Sequence, residues 1–163
     1  MEPTFKLSAT DKKGKYEEFI PGFSALIEDE SEAVSILANA SAALKEAFGF
    51  FWVGFYIVKG EELVLGPFQG SVACYRIKKG RGVCGTAWSE NRTVIVPDVE
   101  EFPGHIACSS LSRSEIVVPL YSSSGEMVAV LDIDSDRVAD FDETDRFYLE
   151  KIVGVIAAAL RHL

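Results

Sequence analysis

Residues Glu115 to Asp134 read EIVVPLYSSSGEMVAVLDID, two β-branched apolar runs on either side of a serine-rich segment that ends in Gly125-Glu126. This order predicts two antiparallel strands, Glu115 to Tyr121 and Met127 to Asp134, joined by a hairpin. Upstream, FFWVGFYIV (Phe50 to Val58) is a third strand, and Lys59-Gly60-Glu61 turns the chain into a partner at Leu63 to Leu65. Shorter strands are expected at Ala73 to Ile77 and Thr93 to Val96, with a short helix, Val83 to Ser89, behind the Gly80-Arg81-Gly82 turn. Helices bracket this strand-rich middle. Lys15 to Leu26 carries Tyr16, Phe19, Ile20, Phe23 and Ile27 at helical intervals, with a kink or break expected at Pro21-Gly22. The second helix follows the cap-and-acid pattern Asp29-Glu30-Ser31-Glu32, aligns Val34, Leu37, Ala40, Ala43 or Leu44, and Ala47 on one face, and ends at Gly49. The last begins near Asp142 to Asp145 and buries Phe147 or Tyr148, Ile152, Val155, Ile156 and Leu160, with Arg161 and His162 suited to its C-terminal dipole. The pattern is α+β, one layered domain over residues 1–163.

Composition narrows the function classes. With 163 residues, 48% hydrophobic and 25% charged, the chain can build one core without staples. A net charge of −9 and the absence of any long basic cluster argue against nucleic acid, and the acidity reads as solubility. The longest apolar stretches are too short for a bilayer and the N-terminus has no apolar signal core, so a cytoplasmic protein with no membrane association is expected.

Three cysteines, Cys74, Cys84 and Cys108, make an odd number, so a structural disulfide framework is a poor explanation. They form no CxxC motif, and with two histidines no metal site of ordinary ligand spacing is expected. Each cysteine alone could be a small buried filler. Cys84, entering a helix, could instead be favoured as a thiolate by backbone N–H groups, and Cys108 lies in the aperiodic loop 97–113, where exposure permits redox chemistry. His105 could tune a neighbouring thiol or simply be exposed. Trp52 and Tyr56 share a strand face, with Gly54 between them leaving room, and such a pair either lines a thioether pocket or belongs to the sheet core. Asp132 and Asp134 also share one face of an otherwise apolar strand, and Glu115 opens its partner strand. If the three converge, repulsion and burial raise at least one pKa and create a proton donor; otherwise they are hydrated strand-end residues.

Together FWVGFY (Phe51 to Tyr56), GPFQG (Gly66 to Gly70), GVCGTAW (Gly82 to Trp88), VPDV (Val96 to Val99), the FPGHIAC loop ending at Cys108, SEIVVPL (Ser114 to Leu120) and LDIDS (Leu131 to Ser135) resemble the free methionine-(R)-sulfoxide reductases, which are single GAF domains. The spacing of the three cysteines agrees with that family. The resemblance implies an antiparallel sheet of about six strands, N- and C-terminal helices packed on one face, and a ligand cavity under the loops of the other. It makes Cys108 the nucleophile and leaves Cys84 and Cys74 as candidates for the resolving thiol. It assigns Trp52 and Tyr56 to the substrate methyl group, and Glu115, Asp132 and Asp134 to the polar side of the pocket, where an acid hydrogen-bonds the sulfoxide oxygen. No metal or organic cofactor is implied; the partners are free methionine-(R)-sulfoxide, thioredoxin as reductant and a second copy in a homodimer. The competing readings are a sensory GAF module that binds a small molecule such as a cyclic nucleotide, and a cysteine redox sensor without turnover.

Overall fold

The computed structural model describes residues 5–106 and 108–160. Two helices, α1 (Lys12–Ile27) and α2 (Ala33–Phe48), lead into β1 (Trp52–Lys59), β2 (Glu62–Gln69) and β3 (Arg76–Lys78). A short helix α3 (Gly82–Glu90), β4 (Val94–Val96), a 3-10 turn at Val99–Glu101, β5 (Ser114–Tyr121), β6 (Met127–Ser135) and α4 (Glu143–Ala159) complete the chain. The six strands form one antiparallel sheet in the order β3-β2-β1-β6-β5-β4. This is the expected α+β architecture, with the expected hairpins β1–β2 and β5–β6.

Period-two alternation divides the sheet into two faces. Val53 and Phe55 of β1, Ile116, Val118 and Leu120 of β5, and Leu131 and Ile133 of β6 join a core with α1, α2 and α4. Here α2 and α4 lie on the strands, and α1 packs against both helices. The intervening residues, among them Trp52, Tyr56, Val117 and Val130, belong to a second cluster with Val83, Cys84, Ala87 and Trp88 of α3.

Several boundaries differ from the sequence reading, each for a local reason. Helix α1 runs without a break through Pro21. Pro21 is solvent-exposed, as is Glu17, four residues earlier, so the carbonyl that loses its N–H partner lies on the hydrated side. Helix α2 has Glu32 at its N-cap and no side-chain cap; the Glu30 carboxylate accepts the backbone N–H groups of Ser31 and Glu32 just ahead of it. Val34 is exposed, and Ile36 takes its place on the buried face. Gly49 ends α2 with φ 66°, a left-handed conformation that glycine adopts without strain. Strand β3 is shorter and later than expected, beginning at Arg76, two residues after the disulfide-bonded Cys74. In α4, Tyr148 is the buried aromatic and Phe147 is exposed; Arg161 and His162 lie outside the described residues.

A polar knot fastens α1 to α4. Asp142 and Asp145 form a reciprocal capping box at the start of α4, and the Asp145 carboxylate also accepts hydrogen bonds from Tyr16 Oη (2.6 Å) and Lys12 Nζ (2.6 Å). Asp145 is buried, and these partners supply what water would otherwise provide.

Candidate active site

The second face of the sheet carries the polar groups that sequence reasoning singled out. Antiparallel register sets Glu115 of β5 opposite Asp134 of β6, and Trp52 of β1 opposite the same Asp134. Asp132, two residues earlier on the same side, lies opposite Gly54. The three acids therefore converge, and the reading of them as hydrated strand-end groups is set aside for Glu115 and Asp132, each 6% exposed.

Burial is the main influence on all three acids. Glu115 is pushed well above the usual carboxylate range by burial and then by the neighbouring charges of Asp132 and Asp134. Asp134 is driven up by burial and by Asp132, against a hydrogen bond from Ser112 Oγ at 3.3 Å. Asp132 is raised by burial, while hydrogen bonds from Glu115 and Cys84 and the nearby His105 favour its charge. Its Oδ1 atom is buried and has no hydrogen-bond partner. The cluster holds protons at a pH where ordinary carboxylates have lost them, which is what a general acid requires.

The aromatic wall comes from β1 and β2. Trp52 stacks between Tyr56 (centroids 6.2 Å apart) and Phe68 (5.2 Å). Its Nε1 donates to the Ser71 carbonyl at 2.9 Å, and Tyr56 Oη donates to the Cys74 carbonyl at 2.9 Å. Both rings are thus oriented by the β2–β3 connection. Gly54 does not leave open room, contrary to the sequence reading: a Cβ there would lie 2.3 Å from Cβ of Phe68. The glycine allows Phe68, its register partner, to close over β1. Phe68 itself was missed, although GPFQG marked the segment; Ser112 had no signal, since only the fold of loop 97–113 brings it to Asp134.

Cys74 and Cys108 form a disulfide that ties the β2–β3 connection to loop 97–113. Cys84 is free and buried at the start of α3, with Sγ 4.0 Å from Glu115 Oε2. Burial, and then the charges of Asp132 and Glu115, push its thiol well above the ordinary range. The expectation that backbone N–H groups make Cys84 a thiolate is therefore corrected: desolvation beside acids outweighs the helix end. His105 Nε2 lies 4.0 Å from Glu115 Oε1, and burial lowers its pKa. Trp52, Tyr56, Cys84, His105, Cys108 and the three acids all line one small cavity of ≈ 40 Å³.

The pattern of the GAF domain family matches residues 28–161. The chain is 55% identical over 157 residues to GAF domain-containing protein A of Dictyostelium discoideum, covering 96% of this chain and 99% of that one. It is 45% identical over 139 residues to the free methionine-R-sulfoxide reductase of Escherichia coli, covering 85% and 84%. The structure of free methionine-R-sulfoxide reductase from Neisseria meningitidis in complex with its substrate superimposes with a TM-score of 0.94 at 53% identity, covering 98% of this chain and 95% of that one. With the sheet, the cysteines and these likenesses in agreement, the chain belongs to the GAF domain family and, within it, to the free methionine-R-sulfoxide reductases.

Proposed function

We propose that this protein reduces free methionine-(R)-sulfoxide to methionine, with Cys108 as nucleophile and Cys74 as resolving thiol. The observation that carries the reading is the Cys74–Cys108 disulfide at a cavity lined by Trp52, Tyr56 and three convergent acids. In the reduced protein the Cys108 thiolate attacks the sulfoxide sulfur while a protonated carboxyl, Glu115 or Asp134, hydrogen-bonds the oxygen and delivers a proton. Sulfur is reduced to the thioether, methionine leaves, and Cys108 takes the oxygen as a sulfenic acid. The Cys74 thiol then displaces it as water and the disulfide forms, which a dithiol of lower potential reduces. Thioredoxin is that dithiol in this reading, the cytoplasm is its compartment, residues 1–163 act as one unit, and pairing of the terminal helices gives a homodimer. Asp132, with a carboxylate oxygen free of partners, receives the substrate ammonium; Trp52 and Tyr56 take the methyl end.

The acids weigh against the alternatives. A cyclic nucleotide would bring a phosphate charge against three buried carboxyls. A sensor that only closes a disulfide has no use for them. Mixing fully reduced protein with one equivalent of the free R epimer should release methionine and leave Cys74 joined to Cys108 by mass mapping. Cys108→Ser should release none, and Cys74→Ser about one equivalent per molecule before stalling. Methionine from Cys108→Ser, or a disulfide mapped to Cys84, would overturn the assignment.

A further inference from the structure

The steps above leave Cys84 without a task, yet its surroundings are built like a ligand set. Cys84 Sγ, one oxygen of Glu115 and one of Asp132 lie within 4.8 Å of one another, and all three residues are buried. They come from α3, β5 and β6, so no spacing in the sequence announces them. His105 Nε2, 4.0 Å from Glu115 Oε1, brings an imidazole to the same acids. The partnerless Asp132 Oδ1 is the independent sign of something missing, because a buried acceptor left unpaired bears its desolvation cost uncompensated. The cavity of ≈ 40 Å³ has room for roughly three waters, far less than an amino acid needs.

We propose that in the disulfide state Cys84, Glu115 and Asp132, with His105 as fourth donor, bind a divalent cation of the zinc class. A thiolate and an imidazole beside two carboxylates select zinc or cobalt over magnesium or calcium, which take oxygen ligands. Ligand atoms around tetrahedral zinc are separated by roughly 3.5 Å. The three donors, within 4.8 Å of one another, need to draw in by up to about 1.3 Å, and His105, which lies outside that group beside Glu115 Oε1, must swing further to join them. Binding transfers no electrons. The cation replaces the Cys84 thiol proton and any proton held between the Glu115 and Asp132 carboxyls, which pass to solvent, and the ion takes up the Asp132 oxygen. An ion bound there occupies the groups that the reductase reading gives to the substrate, so it would hold the oxidised enzyme closed until reduction loosens loop 97–113. The competition rests on that reading; the binding does not.

The test uses the disulfide form, stripped with a chelator and titrated with Co²⁺ in the absence of any reductant. Cys74 and Cys108 are then spent, and Cys84 is the one thiol in the chain. One equivalent of Co²⁺ should produce a near-ultraviolet thiolate-to-cobalt charge-transfer band together with tetrahedral d–d bands, and Zn²⁺ should abolish both. Cys84→Ser should lose the charge-transfer band, and Asp132→Asn should weaken binding tenfold or more. A wild type without the band, or a band that survives in Cys84→Ser, overturns the site. Should Cys84→Ser not fold, X-ray absorption on the zinc-loaded wild type decides: one sulfur neighbour is expected, and none overturns the proposal. Sulfoxide turnover, measured separately with chelator present, reports on the reductase reading alone.

Discussion

The two faces of the sheet meet opposite demands with the same strands. Along β6, Leu131 and Ile133 face the helices, while Asp132 and Asp134, alternating with them, face the cavity. On the helical side the core is apolar, and the buried carboxylate at its edge, Asp145, has Tyr16, Lys12 and the Asp142 N–H around it. On the cavity side the buried acids have few partners, and one oxygen has none. Stability and chemistry are thus separated by the parity of a residue number. The cost of keeping unpaired acids dry is borne by a core one pleat away.

The largest break in this comparison should come from the helical side. Leu131→Ala removes a fully buried side chain, and large-to-small changes at such sites cost about 2–5 kcal/mol. Urea unfolding should show this loss, and a change under 1 kcal/mol would mean that the helical face is not where the stability resides. On the cavity side the order should reverse, with chemistry lost and stability kept. Glu115→Gln should slow methionine release in a single turnover by about a hundredfold, the usual contribution of a general acid, without lowering the unfolding midpoint. An unchanged rate would pass the proton-donor role to Asp134.

The smallest effect is a slope. Glu115 and Asp134 have native pKa values raised above those of the unfolded chain, so the folded form binds more protons than the unfolded form above about pH 4. The stability they contribute is complete below that pH and is lost as pH rises through their native pKa values, by at most about 1.4 kcal/mol per pH unit for each group. Asp134→Asn should flatten this decline between pH 5 and 8, as followed by chemical unfolding. Stability that instead stays flat across that range would show that the acids ionise freely in the folded protein.

Much of this division was legible in the sequence because period two survives translation into a sheet. Trp52 with Tyr56 and Asp132 with Asp134 needed no more than alternation to be placed on shared faces. Convergence of Glu115 with the aspartates needed the β5–β6 hairpin, which the serine-rich turn announced. What stayed hidden depends on contacts between distant segments. The approach of Cys74 to Cys108 spans 34 positions, and no local pattern favoured it over a link to Cys84. The depressed acidity of Cys84 follows from neighbours on β5 and β6, whereas its own segment pointed the other way. Pro21 misled because a proline's effect depends on which side of the helix faces water.

The knot at Asp145 separates two kinds of boundary. The pattern shared across the GAF domain family starts at residue 28, one position after α1 ends. Yet Phe19 and Phe23 of α1 are as fully buried as any residue of the sheet, and Tyr16 and Lys12 hold a carboxylate that the first turn of α4 keeps from water. A chain begun at residue 28 would keep everything the family pattern matches and lose the lid over its own core. The general GAF pattern marks out one segment of this protein, and the physics of burial marks out a longer one.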